Sequence, residues 1–455
     1  YFCFRHAPMF YRFIKIAIGT SLRFFFRRIF VRNYQDLLFN NPVILVSNHP
    51  SAFMDPLVIG LVMRKQLQFL ARADLFMSGS AFNKWVMRLA HTNPIYRIVD
   101  GTSALGKNDQ VFAECYEHLK HNRPILLFGE GFTDETFVRR VKPLKKGSMR
   151  IAFGAENKFD FHLGVNIVCV GLNYSDPSEF RSDLLISFSE PIEVKKFKDL
   201  FLEHNNKAMS ALNKEIFEKL TSQVIHIEDS LLDGMFEQLL IVSQAGINNN
   251  HYNKKISLEE RWEFSKKLSQ EINKKNAIDK NYIDGLKQRS SAYFESLNTL
   301  NLSDDNLYSY SKNREIYLAK DLAALIYCLP LFLFGFITNF IPFKLPILVS
   351  HSMSKRPVFY SSINMVISVI TFPLCYFFTL SFTQHYLANW SATIAIGLLM
   401  PFAGLFAFDY ISEWKAFGSK LRFKKVLREK ESAIISALKS RGEILAAVNE
   451  LVKES

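Results

Sequence analysis

The chain has 455 residues, 49% of them apolar, with 43 Phe, 17 Tyr and 4 Trp. That content excludes a disordered chain, and the phenylalanine excess points toward a membrane. Lysine and arginine outnumber the acids 56 to 43, and the net charge of +13 favours anionic partners such as nucleic acid or lipid. The five cysteines (Cys3, Cys115, Cys169, Cys328, Cys375) form no CxxC, which excludes a disulfide framework or a close-spaced zinc site and fits a reducing compartment.

Taken in chain order, residues 9–32 read as a basic amphipathic helix. Arg12, Lys15, Arg23 and Arg27 fall within a third of the circumference, while Arg28 and Arg32 fall outside that face. Lying in a membrane interface is the favoured reading over packing on its own domain. Residues 1–40 are therefore expected to form an interfacial N-terminal element.

Residues 41–200 alternate short β-rich runs with helical patterns, the signature of an α/β sheet with flanking helices. Strands are expected at 43–47, 68–71, 94–96, 125–128, 165–173 and 184–188, and helices at 56–63, 81–90, 108–121 and 145–156. Residues 201–320 are polar and helical, an extension or linker.

Residues 322–343 contain no charged residue, and 357–408 contain none for 52 positions. A spanning helix needs about 20 such residues, so 321–410 reads as membrane-embedded. The second stretch fits two spans, near 361–382 and 390–408. Lys/Arg-rich loops lie before, between and after the apolar stretches, and such loops stay on the cytoplasmic side. All three share that side only if 322–350 is a re-entrant hairpin, which is the expectation. Residues 411–455 then read as a basic amphipathic helix on the cytoplasmic face. Because the positive charge flanks apolar segments, lipid is the expected partner. No nucleic-acid-binding signature is present, so nucleic acid is not expected.

Four segments carry chemistry. In 43–55, a β-run ends before Asn48 and His49, with Asp55 six residues past the histidine at a helix start. A carboxylate that holds Nδ1–H leaves Nε2 to take a hydroxyl proton, although an isolated His–Asp pair is more often structural. In 93–101, a short strand delivers Arg97 to a loop suited to phosphate. In 124–135, a strand ends in Gly129-Glu130-Gly131, where glycine lets the backbone approach a ligand. In 138–156, Arg139, Arg140, Lys142, Lys145 and Lys146 precede a helix N-terminus, again suited to phosphate, or else form a solvated basic face.

In order and spacing these blocks resemble the PlsC-like glycerolipid acyltransferases. The resemblance rests on Asn48-His49 with Asp55, Tyr96-Arg97, Phe128-Gly129-Glu130-Gly131, the Leu144–Gly147 run and Val168–Gly171, and it covers residues 9–195. Five residues separate His49 from Asp55 where four are commonest. This variant looks like the yeast-type glycerol-3-phosphate and dihydroxyacetone-phosphate acyltransferases. Gly129 and Cys169 stand where the family has proline, and Phe132 where it has threonine.

The resemblance implies an acyltransferase-type α/β domain followed by a helical extension and a membrane region. It implies catalysis by His49 and Asp55. Asn48, Arg97, Glu130, Gly131, Arg139, Arg140, Lys145 and Lys146 would bind substrate, and a backbone amide near Gly129–Gly131 or in the first-block loop would hold the oxyanion. Acyl-CoA or acyl-ACP is the implied co-substrate and a glycerol-phosphate the acceptor, with no metal and no further cofactor. A silent lipid-binding scaffold and a transporter are the competing readings. No acidic or basic residue lies inside the expected spans, which argues against a transporter.

Overall fold

The computed structural model describes residues 7–34, 40–72, 92–96, 106–248, 256–313 and 318–453. The chain divides into two compact units: Tyr1–His226 with Arg356–Ser362, and Ile227–Lys355 with Ile363–Ser455.

The first unit is built on one eight-stranded mixed sheet. Its strands are β1 (Arg28–Arg32), β2 (Val43–Ser47), β3 (Gln68–Arg72), β4 (Thr92–Ile95), β5 (Ile125–Phe128), β6 (Asn166–Tyr174), β7 (Asp183–Phe188) and β8 (Ile192–Glu193). Their order is β1-β7-β6-β2-β5-β3-β4, with β8 on β6, and every pair is parallel except β6–β7 and β6–β8. β2 (VILVS) is buried along its whole length between β5 and β6. A near-continuous apolar run is what a parallel strand covered on both faces requires. Ile44, Leu45 and Val46 are fully buried, each adding about 1.5–3 kcal/mol.

Helices α1 (Ala7–Phe25), α2 (Met54–Val62), α3 (Lys107–Lys120), α4 (Gly147–Lys158), α5 (Lys198–Glu203) and α6 (Asn205–Thr221) flank the sheet. On α6, the i, i+4 stripe Leu212, Ile216 and Leu220 seals a core shared with Ile44, Val46 and Cys169. The helix expected at 81–90 lies outside the described residues.

The amphipathic pattern of 9–32 is split. The helix stops at Phe25, and Arg28–Arg32 becomes an edge strand parallel to β7, with Arg28 paired to Asp183 at 2.7 and 3.1 Å. In a strand Arg28, Phe30 and Arg32 share one face and Ile29 and Val31 the other, so the basic face of the helix does not extend to these two arginines. Leu22 and Phe25 bury against the domain while Phe13 and Ile16 stay exposed, so α1 both packs on its own domain and offers an apolar patch.

In the second unit, α7 (Asp233–Ser243), α8 (Leu258–Ile278), α9 (Lys280–Leu300) and α10 (Asp304–Asn313) pack with the C-terminal α14 (Glu431–Lys453). The expected single basic helix over 411–455 is corrected here. Residues up to Glu429 continue the last apolar helix, and α14 is a packed element. Its Ile434, Ala437, Ile444, Val448 and Leu451 are buried, and Arg441 forms a buried pair with Asp304 at 2.9 and 3.0 Å. Tyr293 donates to the same carboxylate at 2.7 Å.

Among the described residues, three helices are long and apolar enough to cross a membrane: Leu318–Met353, Pro357–Leu387 and Trp390–Glu429. The first is one continuous helix, α11, containing Pro330, Pro342 and Pro346, so the expected re-entrant hairpin at 322–350 is not formed. Apolar helices tolerate proline where neighbours re-satisfy the freed backbone. The next two helices are α12 (Tyr360–Leu387) and α13 (Trp390–Glu429).

Asn339 reaches Met400 O at 3.1 Å, Tyr410 OH reaches Leu325 O at 2.9 Å, and Lys420 pairs with Asp321 at 2.7 Å. α11 and α13 therefore run antiparallel, with the charged start of one beside the basic end of the other.

Gly335 sits where any Cβ would meet Ala403 O at 2.0 Å, which lets the two backbones touch. Asn339 locks that crossing. Its Nδ2 donates to Met400 O and Gly335 O, and its Oδ1 accepts from Tyr376 OH at 2.6 Å. Asn339→Leu is expected to lower bundle stability by about 1 kcal/mol in detergent thermal melts, with Tyr376→Phe giving a smaller part of the same loss.

Candidate active site

The site forms where β2 and β5 end, the position open parallel sheets reserve for ligands. Ser47 closes β2 by donating to Val170 O at 2.8 Å. Asn48 then extends the ladder with its side chain: Oδ1 accepts from Leu172 N at 2.8 Å, and Nδ2 donates to Leu172 O at 3.0 Å. The amide expected to bind substrate is thus engaged by β6, and Asn48 serves to fix the direction of the next residue.

That residue is His49. Its Nδ1 lies 2.8 Å from Asp55 Oδ2, and its ring stacks on Phe128 with centroids 4.0 Å apart. With Nδ1–H donated to the carboxylate, Nε2 is the basic atom. Asp55 stands in the first turn of α2 and is fully buried. Oδ2 also accepts from Ser51 N at 2.8 Å, and Oδ1 accepts from Tyr174 OH at 2.8 Å. The helix N-terminus adds a favourable field for the anion. The connecting loop places Ala52 at φ +42°, a left-handed conformation costly for alanine, which returns the carboxylate to the histidine.

Glu130 follows β5 and is 2% exposed. Its Oε1 has no hydrogen-bond partner, and Oε2 lies 3.8 Å from Lys142 Nζ. Burial pushes its carboxyl up to about 7, with Lys142 opposing. Gly131 takes φ +76°, the left-handed turn that glycine adopts without strain. The N–H groups of Gly129 and Gly131 donate to Ser47 O and Phe128 O, so neither is the expected oxyanion donor.

One cleft is lined by Asn48, His49, Pro50 and Glu130 on one side and by Asp134, Thr136, Val138, Arg140 and Lys142 on the other. Residues 138–142 form neither helix nor strand, and Val138, Arg140 and Lys142 line the cleft. Arg140 and Lys142 point in. Arg139 is buried the other way, donating to Tyr174 O at 2.9 Å and Ser175 O at 3.3 Å, which corrects its expected substrate role. Lys145 and Lys146 are exposed at the start of α4 and do not line the cleft. Gly131 is exposed at the turn and also lies off the cleft lining. Arg97 lies outside the described residues. Lys142, one of the basic residues read as suited to phosphate, is among those that line the cleft. Its ammonium sits 2.7 Å from Asp134 and 4.1 Å from the Phe132 ring centroid.

His226 pins this basic strap: Val141 N donates to its Nδ1 at 3.0 Å. Burial, helped by the Arg140 charge, lowers the ring to about 4. The folded state therefore prefers neutral His226. Its contribution is full above the unfolded value near 6.5 and is lost as pH falls through 4. Between pH 6.5 and 4 this ring is expected to cost the native protein about 2 kcal/mol, partial exposure allowed for. His226→Gln should flatten that part of the denaturation-versus-pH curve.

Among the described residues, no cluster of three or more His, Cys, Asp or Glu could hold a metal ion. Cys169 is buried and its thiol is pushed up to about 12 by burial, which makes it inert.

Comparison with known proteins agrees with this geometry. Residues 28–173 match the family model described as Acyltransferase. Glycerol-3-phosphate O-acyltransferase 1 of Saccharomyces cerevisiae (strain ATCC 204508 / S288c) is 31% identical over 133 residues, 29% of this chain and 17% of that protein. Glycerol-3-phosphate O-acyltransferase 2 of the same yeast is 25% identical over 139 residues, 30% of this chain and 18% of that protein. The match thus spans less than a fifth of the length of these relatives. The crystal structure of the 1-acyl-sn-glycerophosphate (LPA) acyltransferase PlsC from Thermotoga maritima aligns with a TM-score of 0.30 at 17% identity, covering 48% of this chain and 84% of that one. The chain thus carries, at residues 28–173, a domain that matches the Acyltransferase family model.

Proposed function

We propose that this protein moves a fatty acyl group from an acyl-CoA or acyl-ACP thioester to a hydroxyl of glycerol-3-phosphate, a step of phospholipid synthesis. The reading is carried by one observation: a His49–Asp55 pair at 2.8 Å shares a cleft with a buried carboxylate and two cations, Arg140 and Lys142. A base beside a cationic cradle suits an acceptor that bears both a hydroxyl and a phosphate.

In this mechanism His49 Nε2 takes the acceptor hydroxyl proton while Asp55 stabilises the imidazolium. The alkoxide attacks the thioester carbonyl. Collapse of the tetrahedral intermediate breaks the C–S bond, and the thiolate leaves with the proton that His49 returns. Glu130 accepts a hydrogen bond from an acceptor hydroxyl through Oε1, while Arg140 and Lys142 bind the phosphate. No cofactor beyond the thioester co-substrate takes part. The three apolar helices and exposed Phe13 and Ile16 associate the domain with lipid, and the basic flanks keep it on the cytoplasmic face.

The test is a mass-spectrometric assay in liposomes. It offers glycerol-3-phosphate and 1-acylglycerol-3-phosphate together, with acyl-CoA or acyl-ACP. Acylation of glycerol-3-phosphate supports the reading. Product only from the monoacyl acceptor would reassign the substrate. Binding of lipid with no thioester consumed would leave the scaffold reading in its place.

A further inference from the structure

Tyr174 ends β6 and is fully buried, with its ring against Phe26 at 5.8 Å between centroids. Its hydroxyl donates to Asp55 Oδ1 at 2.8 Å, 119 residues away in sequence. The three described donors to Asp55 divide its carboxylate cleanly. Oδ2 takes His49 Nδ1 and Ser51 N, and Oδ1 takes Tyr174 OH. β6 therefore grips the catalytic loop at three successive same-face positions: Val170 O holds Ser47, Leu172 holds Asn48, and Tyr174 holds Asp55.

Resting on the acyl-transfer reading above, we propose that Tyr174 is a positioning residue that sets the basicity of His49 through Asp55. The hydroxyl draws carboxylate charge toward Oδ1 and away from the histidine, and it fixes the plane of the carboxylate. Burial keeps the phenol protonated, pushed well above its ordinary range, so it stays a donor throughout the working pH. Removing the hydroxyl alone leaves Oδ1 buried without its donor. The charge then falls more heavily on Oδ2, so His49 becomes a stronger but less well-oriented base. The other charged groups facing the pair are Glu130 from the β5 turn, and Asp134, Arg140 and Lys142 lining the same cleft. None of these is altered in a Tyr174 variant.

The experiment compares native protein, Tyr174→Phe and a 3-fluorotyrosine substitution at 174, which preserves shape and strengthens the donor. In Tyr174→Phe, kcat is expected to fall roughly 10- to 100-fold with the acceptor KM unchanged. The acid limb of the kcat profile moves to higher pH, and fluorotyrosine moves it to lower pH. In an Asp55→Asn background Tyr174→Phe adds no further loss, because the two act as one unit. Nitrogen-15 histidine NMR reads the same coupling without turnover. The downfield Nδ1–H resonance of His49, absent in Asp55→Ala, shifts in opposite directions in the two Tyr174 variants. A stationary acid limb and a stationary resonance in folded Tyr174 variants would overturn the positioning role. A shifting resonance in a protein that acylates no glycerol-phosphate would retain the positioning role and overturn the substrate reading instead.

Discussion

Replacing His49 with alanine is expected to lower kcat for acyl transfer roughly 10³-fold while leaving the acceptor KM within a few-fold of native. The imidazole makes its bond to Asp55 and a stack on Phe128, and its side chain is 18% exposed, so little core is lost with it. The proton on the acceptor hydroxyl then has nowhere to go as the C–O bond forms, and that cost falls on the transition state alone. The phosphate cradle, Arg140 and Lys142, is untouched, which is why KM holds. His49→Gln, which retains hydrogen bonding without basicity, should be equally inactive. Steady-state rates against acceptor concentration, together with the thermal melting of each variant, separate lost chemistry from lost fold.

Glu130→Gln is expected to act in opposite directions on stability and activity. Glu130 is 2% exposed, and burial raises its carboxyl to about 7. A carboxyl whose folded value is raised favours the folded state when protonated, and that contribution is lost as pH rises from the unfolded value near 4.5 through 7. The native protein therefore carries a cost of about 3 kcal/mol at pH 8 that glutamine does not. Denaturant unfolding should show Glu130→Gln to be the more stable at pH 8 and close to native at pH 5. Activity should fall about 10²-fold at pH 8 and less at pH 5, where the native carboxyl is itself protonated, because Oε1 is a buried acceptor in the cleft without a partner, and an amide in its place binds an acceptor hydroxyl less well. A carboxylate kept where it destabilises the fold is the mark of a group held for function.

The sheet and the dyad were legible because their signals are local. β2 is a four-residue apolar run closed by Ser47, and His49 and Asp55 fall just past its end and at the next helix start. What was illegible is what joins distant segments. Tyr174 is bonded to Asp55 across 119 residues, and nothing in the spacing of either reveals it. The roles of the basic run were half legible. Composition marks 139–146 as cationic, but only the folded path of 138–142 decides that Arg140 and Lys142 line the cleft while Arg139 serves the backbone of Tyr174 and Ser175. Gly129 and Gly131 read as flexible ligand-facing turns, yet their amides are consumed by Ser47 and Phe128. In the apolar region, three prolines read as breaks in α11. The structure absorbs them in one helix, because the close contact at Gly335 and the bonds of Asn339 hold the neighbouring helix against it.

One set of kinetics tests the central claim, a histidine base acting on a hydroxyl whose phosphate is held by the strap. It is the measurement of kcat and KM for glycerol-3-phosphate in native protein, His49→Ala and Lys142→Ala. The geometry predicts that His49→Ala loses kcat at unchanged KM, and that Lys142→Ala raises KM about tenfold at a kcat near native. Turnover retained in His49→Ala, or a Lys142→Ala defect confined to kcat, would contradict it.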